Sequence, residues 1–469
     1  MIFKESIGKF KRILFVFPLL VHIILLTNTR FTLWPEMVVY PYLVNNGFLI
    51  YKDLINPYPP VFIIFLSLFS KIFGYSPQPY QILTWAVIIV VDLSIFNVVR
   101  KISKNYYHAF FALLLFVIFS LPFGINGLWF DLIQVPFVIF SVYHFYLYLE
   151  FKKTSYLNKS FYLAIATFFI KQQAAWIIIF YLGILLYKNR ASPQKLIQNL
   201  ILPFAFSLFL LTIHLIVFYK LGILRDFVFW AVILPFFKAS AIPGYVALPA
   251  LKQLLIVLIP FTLVVFSALN AKTREYFLII CALPVALFAY PRFDYFHLIA
   301  YLAIIAIALG IQLKSLKNLE LKQLYLPIIA IGLLSIFTIH YFQNNWLTEI
   351  RFFEPDIQSS AHLLSIVTSP QEKIYIQNGP DQLLPLSKRL PIKPWAIQFP
   401  WYFEVSSLQS RTISAIESQK PQFIVYKPYE GKEKYALGSY MPSILVTYLD
   451  TNYINQIQIS DTLWLKSKN

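Results

Sequence analysis

The sequence predicts an all-α polytopic membrane protein with about eleven transmembrane helices. Juxtamembrane helices are expected in its first outer loop, and a small C-terminal α/β domain outside. Three observations predict this class. Of 469 residues, 59% are hydrophobic and only 13% charged, where a soluble chain of this size carries about 25% charged residues. Several uncharged apolar runs approach the roughly 20 residues needed to cross a bilayer. Lys and Arg gather in short links between those runs: Lys4 to Arg12, Arg100 to Lys104, Lys152 to Lys159, Lys188 to Lys195, Lys272 to Arg274 and Lys314 to Lys322. That is the positive-inside pattern of cytoplasmic loops. The formal charge of +18 therefore reports topology, and no nucleic-acid partner is expected.

Each span follows from that charge rule. Basic flanks place the N-terminus inside, and run 12–29 leads out as an uncleaved first span. Run 79–99 ends in Arg100-Lys101 and returns. Run 60–73 lies between these two, so parity forbids it to cross. It is short and interrupted by Lys71, and reads as a juxtamembrane or re-entrant helix on the outer side. Runs 106–122, 132–149, 197–219, 251–270, 275–290, 296–312 and 324–341 then alternate in direction. Basic links flank 160–187 on both sides, so this piece must cross an even number of times. Two short helices meeting outside at Lys171-Gln172-Gln173 satisfy both parity and polarity.

The chain divides into a membrane domain, 1–344, and an extracytoplasmic α/β domain, 345–469. The tail carries short β-prone runs, "KIYIQ", "QFIVYK" and "ILVTYL", with a helical segment "SSLQSRTISAIESQ" between them. The single cysteine, Cys281, forms no intramolecular disulfide and says nothing of redox compartment. No Gly-Lys-Ser/Thr phosphate loop and no Cys/His zinc spacing is present.

The predicted outer loops hold nearly all the polar groups that topology does not require. Glu36 and Asp53 lie in the first loop, in "WPEMVVYPYLVNNGFLIYKDLINPYPP". Asp131 sits in "NGLWFDL", Lys171 at the tip of the short helix pair, and Arg225 and Asp226 after run 197–219. "PRFDYFH" occupies 291–297. Charges at membrane depth are costly and tend to line cavities. Each residue also has a plainer reading. Asp53 could hold a turn, Asp131 cap its helix, Lys171 snorkel to the surface, Arg292 pair with Asp294, and His297 be a satisfied interfacial histidine. Asp92, inside a span, is expected to pair with Arg100 or a neighbouring helix.

An acid after the first span, then "GFLIYKD", then "YPP", then a short apolar run ending "IFGYS" resembles the GT-C glycosyltransferases. The branch is the one related to protein O-mannosyltransferases and aminoarabinose transferases. "PRFDYFHLIAYLAI" is similar to that family's late arginine-bearing helix entry, and the tail, with "KPQFIVYK" and "YLDTNY", to the periplasmic domains of its bacterial members. Two positions depart from the family pattern. Pro35-Glu36 stands where Asp-Glu is usual, and Tyr58 replaces the lysine often found before the double proline.

The resemblance implies an inverting transfer of a sugar from a polyprenyl phosphate to an acceptor hydroxyl, outside an inner membrane. Membrane lipids and an acceptor glycan, lipid or protein are the expected partners. It implies Glu36, Asp131 and Asp53 as catalytic acids, and Lys171, Arg292 and Tyr58 as phosphate contacts, with His297 and Gln172 as further candidates. A divalent metal (Mg, Mn or Zn) is the one cofactor expected, on Glu36 and Asp131. Two other classes compete: a transporter or flippase for a lipid-linked sugar, which predicts internal repeats and midplane polar groups, and an envelope polysaccharide polymerase or ligase, which predicts its large outer loop between spans.

Overall fold

The structure, a computed structural model, describes residues 2–242, 245–267, 275–316, 325–394, 400–405, 407–429 and 441–468. The basic link at 272–274 and most of that at 314–322 lie outside them. The chain forms two compact units, each assembled from separate stretches. The first takes Met1–Phe31, Gln81–Ile213 and Leu248–Thr348; the second takes Thr32–Tyr80, His214–Ala247 and Glu349–Asn469. One boundary between the units lies between Thr348 and Glu349. The unit that holds the tail, however, also takes in the first loop and 214–247.

Helices stand where the apolar runs predict them; Glu36–Asn45, expected as part of the first loop, is helical besides. They are α1 Ile2–Asn28, α2 Glu36–Asn45, α3 Val61–Phe73, α4 Pro77–Ser103, α5 Tyr106–Ser120, α6 Phe130–Phe151, α7 Thr154–Ile170, α8 Ala175–Lys188 and α9 Pro193–Lys220. After the short α10 Leu224–Phe227 and a π-helix Val228–Lys238 come α11 Leu251–Ser267, α12 Glu275–Ala286, α13 Ile299–Leu316 and α14 Tyr325–Asn345. Among the described residues, the helical stretches Pro77–Ser103, Tyr106–Phe123, Phe130–Phe151, Pro193–Lys220 and Tyr295–Leu313 are long and apolar enough to cross a membrane.

In the first unit, α13 is the central post. It packs on α5, α6, α11 and α12, and 83% of its apolar window is buried, against 6% for α9. Most of the α9 surface is apolar and exposed, as suits a helix facing hydrocarbon. Gly310 lets α13 approach closely: a Cβ there would meet Ala112 Cβ at 2.6 Å and Val99 Cγ1 at 3.0 Å. His22 on α1 bonds Asp92 on α4 at 2.7 Å, both nearly fully buried. The partner of Asp92 is therefore a neighbouring helix, not Arg100.

In the second unit, α2 packs on α3 and on the short tail helix α16 Leu383–Ser387. At about 1.5 Å per residue, the 13 residues of α3 reach about 20 Å, short of a hydrocarbon core of about 30 Å. Phe62, Ile63, Leu66, Ser67 and Ser70 face inward, while Ile64, Phe65, Leu68 and Ile72 stay exposed. The helix thus has one apolar face packed on protein and one apolar face left open. The helix starts after Pro59-Pro60, with Pro60 at its N-cap, where a missing N–H costs nothing. It stops at Gly74, whose φ of +81° favours glycine.

The tail builds a five-stranded sheet. Its order is Leu390–Pro391, Lys373–Gln377, Phe423–Tyr426, Leu463–Ser467, Asn455–Ser460, the first three parallel and the rest antiparallel. Helices α15 Pro355–Val367, α17 Leu408–Gln419 and α18 Ser443–Asn452 accompany it. "KIYIQ" and the centre of "QFIVYK" are strands as expected, and "SSLQSRTISAIESQ" holds α17. "ILVTYL" is not a strand but lies within α18. Its buried residues, Leu445, Val446 and Leu449, recur at helical spacing, and their packing on α17 overrides the β-propensity of Ile, Val and Thr.

Candidate functional site

Among the described residues, the candidate side chains gather in two clusters, one in each unit. In the first unit a helix break sets the geometry. α7 ends at Ile170, Lys171 takes an extended backbone (φ −152°, ψ 125°), and a 3-10 turn Gln172–Ala174 leads into α8. The break expected at Lys171-Gln172-Gln173 is thus present. Lys171 does not snorkel to a surface; it is fully buried, and its Nζ donates to Asp131 Oδ2 at 2.6 Å.

Asp131 lies in the first turn of α6, where a negative charge suits the helix dipole. It is not the cap. Trp129 holds that position with no side-chain cap bond. His297 Nδ1 is 3.0 Å from the same Asp131 Oδ2 and 3.2 Å from Lys171 Nζ. Gln134, one helical turn on, donates Nε2 to Asp131 Oδ1 at 3.2 Å. At 11% exposure, His297 alone in this trio shows measurable surface, against 0–1% for Lys171 and Asp131. It occupies a 3-10 turn, Tyr295–Leu298, whose start is fixed by Asp294 accepting from the Tyr295 N–H. Arg292 is half-buried.

The second cluster surrounds Glu36. This residue opens α2 and is 4% exposed. Tyr40, one turn later, is buried and donates to the Ile55 carbonyl at 2.8 Å. Burial, then the nearby charges led by Glu36, raises the Tyr40 phenol well above the usual tyrosine range. Tyr402, brought in by the tail, is raised by burial, then by Tyr40, Tyr245, Tyr58 and Glu36. The charges acting on the Tyr40 phenol are those of Glu36, Tyr58 and Asp381, so the tail supplies Tyr402 and Asp381 to this neighbourhood. The Tyr58 carbonyl accepts from Tyr51 Oη and from Asn56 Nδ2, each at 2.8 Å.

Asp53 locks a turn, the plainer of its two readings. Its Oδ2 accepts the Leu49 N–H at 2.9 Å while its own N–H donates to the Leu49 carbonyl at 2.8 Å. Lys393 of the tail lies 3.4 Å from that carboxylate.

A divalent metal does not fit Asp131, one of the two acids expected to hold it. Both oxygens of Asp131 are engaged by Lys171, His297 and Gln134. An ammonium already stands 2.6 Å from the oxygen an ion would use. Among the described residues, no group of three His, Cys, Asp or Glu could hold a metal.

Gln134 was legible in principle, one turn from Asp131 at the entry to run 132–149; Tyr40 was not, because α2 forms in a stretch expected as loop. Tyr402, Asp381 and Lys393 carried no signal, because only the folding of the tail brings them to the first loop.

No family model and no curated protein matches the chain. Solved structures do. ArnT from Cupriavidus metallidurans bound to undecaprenyl phosphate is 12% identical and superposes with a TM-score of 0.62, over 97% of this chain and 97% of that one. Its apo form gives 0.59 at 10% identity, over 98% of each chain. The Archaeoglobus fulgidus oligosaccharyltransferase, in complex with Zn and sulfate, gives 0.51 at 13% identity, over 88% of this chain and 68% of that one. Both proteins are GT-C glycosyltransferases, and the fold of this chain is the GT-C fold they share.

Proposed function

We propose that this protein is a membrane glycosyltransferase that moves a sugar from a polyprenyl phosphate to an acceptor hydroxyl on the extracytoplasmic side. The observation that carries this reading is the superposition on undecaprenyl-phosphate-bound ArnT over 97% of both chains. Membrane loops, first-loop helices and tail all take part in that match. The acceptor is a glycan, lipid or protein hydroxyl.

The chemistry needs a base and a way to hold a leaving phosphate. The acceptor oxygen attacks the anomeric carbon, the acceptor proton passes to a carboxylate, and the sugar–phosphate bond breaks toward the polyprenyl phosphate. One direct displacement inverts the anomeric centre. Glu36 is the proposed base. Its burial among phenols supports a carboxylate kept from bulk water and held in place. Arg292 and Tyr58 are the proposed phosphate contacts, and both are half-buried. Lys171 is engaged by Asp131, and in this reading it acts through that residue.

The test is direct. Purified protein is incubated with a panel of polyprenyl-phosphate sugars, and release of polyprenyl phosphate is followed. Release from one donor, dependent on an added acceptor, supports transfer; no release from any donor removes the reading. Sidedness has its own test, helped by the burial of Cys281, the one native cysteine. An outside thiol reagent is expected to label Lys420→Cys and spare Lys101→Cys. The reverse pattern would overturn the topology.

A further inference from the structure

The acid that opens α6 is surrounded by groups in the arrangement of a small cation site, with a lysine in the middle. Asp131 Oδ2 and His297 Nδ1 lie 3.0 Å apart. A carboxylate oxygen and an imidazole nitrogen are the donor pair that Zn or Mn recruits. Lys171 Nζ faces both, at 2.6 Å and 3.2 Å. We propose that Lys171 is a built-in cation: its ammonium takes the place beside Asp131 and His297 that a divalent ion would otherwise fill, so this centre is organised without metal.

Four features support the assignment. Lys171 is wholly buried, and a buried ammonium is held only where an anion is paired with it. Its position is set by the main chain: the Lys171 N–H still bonds the Thr167 carbonyl at 2.9 Å, while its extended backbone turns the side chain off the helix axis. The second Asp131 oxygen is taken by Gln134, so the carboxylate has no bidentate face to offer. Like charges repel strongly at such distances in a dry site, so an ion entering beside the ammonium would have to displace it. In this role Lys171 is a positioning residue. It fixes the rotamer of Asp131 and, through the shared oxygen, the ring of His297.

The proposal extends the transferase reading but is tested apart from it, by binding of Mn²⁺ to the purified full-length protein in detergent. Wild type and Asp131→Asn are expected to bind Mn²⁺ equally, with no saturable site that depends on Asp131. Lys171→Met is expected to gain one saturable site, and Lys171→Met combined with Asp131→Asn to lose it. Lys171→Arg, which keeps the charge, is expected to gain none. Saturable binding in wild type that disappears in Asp131→Asn would overturn the proposal. The wild-type titration, expected to show no saturable Mn²⁺ site, decides the question even if a destabilised variant fails to fold. Activity gives a second reading: transfer by wild type is expected to survive chelation, and transfer lost on chelation and restored by Mn²⁺ would count against a built-in cation. Absence of any transfer would speak against the proposed function and leave the binding result standing.

Discussion

Lys393 reaches across 346 residues of sequence to donate its Nζ to the Gly47 carbonyl at 2.6 Å. The same ammonium lies 4.2 Å from the Phe48 ring centroid and 3.4 Å from Asp53 Oδ2. Its backbone is clamped in turn, since Gln419 accepts from the Lys393 N–H at 3.0 Å and donates to its carbonyl at 2.5 Å. The tail thereby holds the 47–53 turn in the same unit as Glu36.

Lys393→Met is expected to loosen that turn. The side chain is 38% exposed, so the ion pair with Asp53 is worth no more than about 1 kcal/mol, with a similar amount from the ring contact. The melting temperature should fall slightly. A double-mutant cycle with Asp53→Asn should return a coupling within that range, and zero coupling would show that the pair adds nothing.

Glu36→Gln keeps the shape of α2 and removes the charge. Loss of a general base slows transfer by roughly 100-fold or more, so turnover should fall on that scale while donor binding changes little. Single-turnover assays with saturating donor separate the two effects. Normal turnover would send the search for the base to another acid.

The Asp131–Lys171 pair makes a stability prediction. Removing one partner leaves a buried charge uncompensated, at a cost of about 3–5 kcal/mol. Asp131→Asn and Lys171→Met should each destabilise strongly, and the double variant should recover much of the loss because no net charge is left buried. Additive losses in thermal unfolding would mean that the two charges do not depend on each other.

Gly310→Ala tests the close approach of α13. The new Cβ would stand 2.6 Å from Ala112 Cβ and 3.1 Å from the His108 carbonyl oxygen, at a cost of about 1–3 kcal/mol. Gly332→Ala on α14 meets nothing within 4 Å, so it should be neutral or stabilising by up to about 1 kcal/mol. Equal effects in the two variants would count against the packing account.

At alkaline pH, Tyr42 gives a readable signal. Burial, and secondarily Tyr75, raises its phenol from 10.0 to about 12. The unfolded chain would then lose this proton first, so stability should fall as pH rises from 10.0 toward about 12. Phenolate absorbance should show a tyrosine class that ionises late or only with unfolding.

The amino-acid sequence by itself determined where the long apolar helices lie and where α7 breaks. Hydropathy, charge and proline are properties of short stretches, and a polar Lys171-Gln172-Gln173 between apolar runs has few places to go. It also marked Glu36, Asp131, Lys171 and His297 as unusual, since charged and titratable groups are rare in such a chain. The tertiary structure decided which of them meet. Asp131 finds Lys171 40 residues on and His297 166 residues on, and from the tail of the same unit Glu36 gains Tyr402 and Tyr40 gains Asp381. It also turned "ILVTYL" into part of a helix. Each of these outcomes rests on burial and on the pairing of charges taken out of water, and those energies exist only once distant segments have packed.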